Sequence, residues 1–214
     1  MISLTIHPEW REILAKDRLD TFEALHSYRG DCRSSHTRGA TWRHTLSDGR
    51  VIFIKQDYYT KLQPVLRQLI RGHFPETNTE RECRQLEVVR SHGFRVPTVV
   101  ASSQHSRWQW PTTGVLVEAA VSGRPVDELL KDQSVSAETR RLALEKARAL
   151  LTRLQDAGFD WNIDCKPEHF FYCEDGEITI IDVERLRLTG RPLREEVREK
   201  QHLRFTSLLP EEYR

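Results

Sequence analysis

Apolar and polar positions alternate most clearly in TWRHTLSDGRVIFIKQDY, residues 41–58. Two β-rich runs flank Ser47-Asp48-Gly49, and an Asp-Gly step between such runs predicts a hairpin whose second strand, VIFIK, ends on Lys55. Residues 59–74 read as a connecting segment with a short basic helix. The next stretch, TNTERECRQLEVVRSHGF (77–94), has a helical period: Cys83, Leu86, Val89 and Arg90 follow a 3–4–7 rhythm. Thr77 or Thr79 caps it, Glu80 and Glu82 lie in the first turns where the helix dipole favours anions, and Gly93 stops it. VPTVVAS and TTGVLVEAA (112–120) read as strands, the second broken by SGRPV. Ser136 caps a longer helix over 137–157, with Leu144, Ala147, Leu151 and Leu154 on one stripe and Gly158 at its close. A strand near HFFY, a turn at Glu174-Asp175-Gly176, the strand EITIID and a charged helical tail over 191–214 complete the chain.

This order predicts an α+β protein of two lobes, 1–120 and 121–214. A β-rich first half contains one internal helix, and a helical second half follows a Gly- and Pro-bearing hand-over near 121–125, just beyond Glu118. A chain of 214 residues can form one large domain or two small lobes sharing a cleft. Neither an internal repeat nor a low-complexity tract interrupts it.

Charge and composition narrow the function classes. Charged residues make up 30% of the chain but the net charge is only +1, so no global attraction to nucleic acid is expected. Mean hydropathy is −0.60 and no apolar run reaches the length of a membrane span. The start, MISLTIHPEWREILAKD, lacks the pattern of a secretory signal, so a cytoplasmic protein is expected. Four cysteines, Cys32, Cys83, Cys165 and Cys173, are scattered, and no disulfide framework is expected in a reducing compartment. Cys165, His169 and Cys173 form a C-x3-H-x3-C pattern that reads either as metal ligands or as small packing residues beside a histidine.

The densest chemistry lies in DWNIDCKPEHFFY (160–172) and ITIIDVERL (178–186). Phosphoryl transfer from ATP needs a cation on the phosphates, a carboxylate on the metal and a second carboxylate that orients the attacking hydroxyl. Lys55 at a strand end and Glu82 on the next helix supply the first as an ion pair. Asp164, in a loop after the long helix, suits the hydroxyl. Asp182 follows it by 18 positions at the end of an apolar strand and suits the metal, with His169 as a second ligand. Lys166, two positions beyond Asp164, suits the transferring phosphate. Each residue alone also fits a bland role, as a turn cap, a buried histidine or a surface lysine; it is their order and spacing that point to phosphoryl transfer.

Together these motifs resemble the lipopolysaccharide kinase family, the Kdo/WaaP group with its InaA-type members. Its loop reads H-x-D-x4-[HN]-[FIV]-L and its second motif I-I-D followed by a short basic segment; Asp164, His169, Phe170 and Asp182 match. TERECRQLEVVRSHGFRVPT, VIFIK and TGVLVEAAVSG resemble the family's helix and turn, lysine strand and lobe-joining stretch, and the resemblance covers roughly residues 38–205. It implies a two-lobed protein-kinase-like fold with a small antiparallel-sheet N-lobe and a reduced helical C-lobe. It also implies ATP and Mg2+ as cofactors, Asp164 and Lys166 as catalytic residues, Lys55, Glu82 and Glu118 at the nucleotide, and His169 and Asp182 at the metal. The implied acceptor is a lipopolysaccharide core saccharide at the cytoplasmic face of the inner membrane. Arg67, Arg71, Arg81, Arg84 and Arg90 would then offer a basic face to acidic headgroups or an anionic saccharide. The chain departs from the pattern in carrying Asn162 where the family has histidine, in lacking Gly after Asp182, and in having only Gly39, with Gly30 upstream, in its phosphate loop. Two other readings use the same residues: a kinase-shaped binding or regulatory protein, and a phosphotransferase for a small hydroxyl compound of aminoglycoside or choline type.

Overall fold

A computed structural model describes residues 2–59, 70, 75–105, 110 and 113–214. The basic helix expected within 59–74 therefore lies almost wholly outside the described residues, as do Arg67 and Arg71. The chain divides into two compact units, Met1–Arg84 with Thr98–Ala120 and Gln85–Pro97 with Val121–Arg214.

The first unit is built on a six-stranded antiparallel sheet of β1 (Ile2–Ile6), β2 (Asp31–His36), β3 (Gly39–Thr45), β4 (Val51–Asp57), β5 (Val99–His105) and β6 (Gly114–Ala119), in the order β1-β5-β6-β4-β3-β2. The predicted hairpin is β3–β4, and Gly49 takes the positive φ of 89° that its turn requires. Alternation along β4 sends Ile52 and Ile54 into the core with Val100, Val115 and Val117, while Phe53 and Lys55 face the other way.

The first half holds more than one helix, contrary to the sequence reading. Residues 1–36 add strands β1 and β2 and two short helices, α1 (Arg11–Lys16) and α2 (Phe22–Ser27). Six residues are too few for a helical period to stand out, yet Trp10, Leu14, Leu19 and Leu25 together cover the core face of the sheet. Gln56 ties them in, its Nε2 donating to Leu25 O at 2.6 Å and its Oε1 accepting from Trp42 Nε1 at 2.8 Å. Helix α3 (Asn78–Ser91) begins in this unit and ends in the next.

The second unit contains α4 (Val126–Lys131), α5 (Ala137–Asp156), α6 (Glu195–Ser207) and two small sheets. One is β7 (Gly123–Pro125), β9 (Phe170–Cys173) and β10 (Ile178–Ile180) in the order β10-β9-β7; the other pairs β8 (Phe159–Asp160) with β11 (Arg187–Leu188). Ser136 caps α5 by accepting the Thr139 N–H at 3.1 Å. The predicted stripe Leu144, Ala147, Leu151 and Leu154 is buried, and Phe159, Trp161, Phe170 and Phe205 extend the core. Gly158, at φ 84°, follows α5 where a side chain would collide with the Arg191 backbone. On α3, Leu86 and Val89 are buried as their spacing predicts, but Arg90 is exposed and donates to Pro97 O at 2.6 Å. Among the described residues, no helix is long and apolar enough to cross a membrane.

Candidate functional site

In the first unit the charged residues of interest gather on the face of the sheet opposite its core. Phe53 and Lys55 share that face, and Glu118 on β6 stands opposite Phe53 in the ladder, so Lys55 and Glu118 are diagonal neighbours. Lys55 Nζ donates to Glu82 Oε1 at 2.6 Å and lies 3.0 Å from Glu118 Oε2. Burial alone would lower the lysine's pKa, but the Glu118 and Glu82 charges outweigh it and raise the value, so the ammonium stays charged.

Helix α3 is fixed at its start, which positions Glu82. Thr77 is the cap of the two candidates: its Oγ1 accepts the Glu80 N–H at 3.1 Å while Glu80 Oε2 accepts the Thr77 N–H at 2.8 Å, a reciprocal capping box. Asp57, two residues after Lys55, accepts the Thr79 N–H at 2.8 Å, and Glu80 also accepts from the His105 backbone at 2.7 Å. The β2–β3 connection is a two-residue turn at 37–38, not a glycine-rich flap. Gly39 just beyond it is required because a side chain there would collide with Gln56 O.

In the second unit, Asp164 ends a 3-10 turn (Asn162–Asp164) directly after β8. Asn162 adopts a left-handed φ of 53°, a conformation asparagine tolerates, and its N–H donates to Asp160 Oδ1 at 2.7 Å. Asp160 is held in turn by buried Gln201 of α6, whose Nε2 donates to Oδ1 at 2.6 Å and whose Oε1 accepts from Gln155 at 3.2 Å. The loop ahead of Asp164 is therefore braced through α5 and α6.

Asp164 is 13% exposed at its side chain and has a cation beside each oxygen. Lys166 Nζ lies 3.5 Å from Oδ1 and Arg185 Nη1 lies 3.7 Å from Oδ2. Lys166 also donates to Glu168 at 3.1 Å, and that bond, with the Asp164 charge added, raises its pKa. His169, only 5% exposed at its side chain, turns Nε2 toward Asp182 Oδ2 at 3.5 Å. Its buried Nδ1 has no hydrogen-bond partner among the described residues, and its ring tilts against Trp161. Burial lowers the His169 pKa against the pull of Asp182 and Asp164, so the imidazole is neutral at pH 7. Asp182 is 51% exposed at its side chain and takes a left-handed φ of 54°, which ends the β10 run and starts the 3-10 turn Val183–Arg185.

The structure thus groups Lys55 with Glu82 and Glu118 in one unit, and Asp164, Lys166, His169 and Asp182 in the other. Sequence reasoning missed Arg185, Asp57, Asp160 and Gln201. The basic segment after Asp182 was a signal for Arg185; no local pattern marks Gln201, because its partner lies 41 positions away. The C-x3-H-x3-C metal reading is corrected. Among the described residues no three His, Cys, Asp or Glu side chains converge as ligands, burial beside Asp164 pushes the Cys165 thiol up to about 12, and Cys173 Sγ packs against Thr179 Oγ1 at 3.3 Å. The proposed basic face is also reduced: Arg81 and Arg84 pair with Glu76, at 3.3 and 2.9 Å.

A family model for the lipopolysaccharide kinase (Kdo/WaaP) family matches residues 7–212. The chain belongs to that family. The match takes in α1, α2 and β2, beyond the stretch whose motifs resembled the Kdo/WaaP group. Among solved structures, one described as "WaaP in complex with acyl carrier protein" is similar at 18% identity and a TM-score of 0.65, covering 95% of this chain and 79% of that one. The pseudokinase domain of BIR2, an immune regulator of the RLK/Pelle family, is similar at 17% identity and a TM-score of 0.46, covering 83% of this chain and 49% of that one. A search of curated protein sequences finds no match. The fold of this Kdo/WaaP family member is the protein-kinase-like α+β fold expected from its motifs.

Proposed function

We propose that this Kdo/WaaP family member transfers the γ-phosphoryl group of ATP to a sugar hydroxyl, with a lipopolysaccharide core saccharide as acceptor. The observation that supports this most is the grouping of Asp164, Lys166, His169 and Asp182 around one loop that α5 and α6 brace. Asp164 receives the hydroxyl proton and orients the attacking oxygen. Lys166 leans on the transferring phosphate, and Lys55, steadied by Glu82, bonds a phosphate oxygen of the nucleotide.

The donor set suits Mg2+ at Asp182. This ion takes one or two protein carboxylates and completes its shell with phosphate oxygens and water, and Asp182 offers an exposed carboxylate. Imidazole suits softer ions, so His169 serves by orienting Asp182 through its neutral ring. Bound there, Mg2+ supplies charge neutralisation of the phosphates.

A second reading, a kinase-shaped binding protein, is favoured by two features. The turn at 37–38 offers few backbone N–H groups to a phosphate, and Glu118 competes for Lys55. The two readings part on one experiment: thermal shift with ATP and Mg2+, followed by radiolabel transfer from ATP to deacylated core oligosaccharide. Stabilisation with transfer supports the enzyme, stabilisation without transfer supports the binding protein, and no stabilisation at millimolar nucleotide removes both nucleotide roles. The acceptor places the protein at the cytoplasmic face of the inner membrane as a peripheral enzyme. The similar WaaP structure contains acyl carrier protein, which makes that the first protein partner to test by co-purification.

A further inference from the structure

Arg185 stands beside the carboxylate to which the proposed reaction assigns the acceptor hydroxyl, and among the described residues its guanidinium is largely uncommitted. One terminal nitrogen lies 3.7 Å from Asp164 Oδ2 while the side chain remains 65% exposed. A guanidinium carries five N–H donors in a planar fork, so a single loose contact leaves most of that capacity facing solvent. Lys166, the other cation at Asp164, is by contrast already bonded to Glu168 at 3.1 Å.

The fork is also well placed. Val183 and Leu186 on either side of it are fully buried, and Leu186 N donates to Val183 O at 3.0 Å, so the 3-10 turn is pinned at both ends. The chain beyond is held as well: β11 pairs with β8, Thr189 N donates to Gly158 O at 2.8 Å and Leu193 N to Gln155 O at 3.0 Å. Exposed Arg187, Arg191 and Arg194 follow along this strap. A cation fixed on a rigid turn, next to a catalytic carboxylate and at the head of a basic strap, matches an anionic substituent better than a neutral one.

We propose that Arg185 is an acceptor-recognition residue, binding a carboxylate or phosphate substituent held beside the reacting hydroxyl. The acceptor it selects is an anionic saccharide, and in that sense the inference rests on the phosphotransferase reading. A carboxylate and a phosphate share the bidentate geometry, and the experiment separates them.

The kinetic arm compares deacylated core oligosaccharide with the same material after amidation of its carboxylates, after removal of its phosphates, and after both. For the wild type, removing the recognised group raises the acceptor KM about tenfold or more, the loss expected for a charge-assisted bidentate pair. The Arg185→Gln variant has that raised KM on every form, and Arg185→Lys recovers part of the preference. A wild type indifferent to all three treatments overturns the proposal, as does an Arg185→Gln variant that loses kcat equally on every form with KM unchanged. The second arm needs no turnover. Phenylglyoxal modification of Arg185, mapped by mass spectrometry on the nucleotide-free protein, is slowed by millimolar inorganic phosphate while exposed Arg204 is modified at an unchanged rate; equal rates at both arginines overturn the proposal. Slowing at Arg185 in a protein that transfers nothing would leave the anion site standing and remove the kinase reading instead.

Discussion

Asp57 ends the strand that carries Lys55, and its carboxylate holds the helix that carries Glu82: Oδ2 accepts the Thr79 backbone N–H at 2.8 Å. One strand end therefore sets both partners of the ion pair. The Lys55–Glu82 distance of 2.6 Å follows from a helix seated by its first turn rather than from two flexible side chains finding each other. Asp57 is buried, and burial raises its pKa against the opposing bonds from Thr79 and Asn78.

Glu80 makes the seating of that helix sensitive to acid. Burial raises its pKa, but bonds from the His105 side chain, the Thr77 backbone and the His105 backbone outweigh this and hold it below its ordinary 4.5. The folded protein thus releases this proton more readily than the unfolded chain. The stabilisation is fully present above the unfolded value and is lost as pH falls through the lower folded one. Glu80→Gln should cost about 1–2 kcal/mol at pH 7. The melting-temperature gap between wild type and variant should then narrow below pH 4.5. A gap that stays constant to pH 3 would show that the Glu80 charge does not seat the helix.

Lys55 Nζ lies 2.6 Å from Glu82 Oε1 and 3.0 Å from Glu118 Oε2, so Glu118 places a second carboxylate beside the cation proposed to bond the nucleotide. Glu118→Gln removes one negative charge beside Lys55 and should tighten ATP binding about tenfold, from removal of a like charge near the phosphates. Lys55→Met removes the cation that Glu82 and Glu118 share and should cost about 3 kcal/mol in urea unfolding, part of which Glu118→Gln restores in the double variant. Equal or weaker ATP binding in Glu118→Gln would show that the carboxylate helps the nucleotide rather than competing with it.

Gln201 lies on α6 but acts on the loop that carries Asp164. Its amide donates to Asp160 Oδ1, which also accepts the Asn162 N–H. Gln201→Leu fills similar space but removes the donor, leaving Asp160 to hold the loop alone. Stability should fall by about 1–2 kcal/mol. Transfer should lose about tenfold in kcat with the KM for ATP unchanged, because a misplaced carboxylate weakens the transition state and not nucleotide binding. Loss in KM alone would place Gln201 outside the positioning of Asp164.

What could be read from the sequence was local. The Asp-Gly hairpin, the Ser136 cap and the threonine cap of α3, left open between Thr77 and Thr79, each confine their signal to a few neighbouring positions, and the structure holds the hairpin, the Ser136 cap and a cap at Thr77. Trp10, Leu14 and Leu25 belong to elements too short to show a period, so the cover they give to the first sheet emerged only from packing. Asn162 looked like a missing histidine; the structure shows a backbone demand for left-handed φ at that position, which Asn satisfies. The Lys55–Glu82 pair was suggested by element order, but the third member of its cluster was not. Glu118 was expected at the nucleotide, and its contact with Lys55 depends on strand register, which no local motif fixes.

The most direct measurement compares wild type and Asp164→Asn in transfer of the ATP γ-phosphoryl group to deacylated core oligosaccharide, with nucleotide affinity measured on the same samples. Asparagine keeps the size of the side chain but cannot take the hydroxyl proton. The account predicts that transfer falls by about a hundredfold or more while ATP affinity changes less than about threefold. Transfer at the wild-type rate by Asp164→Asn would contradict it.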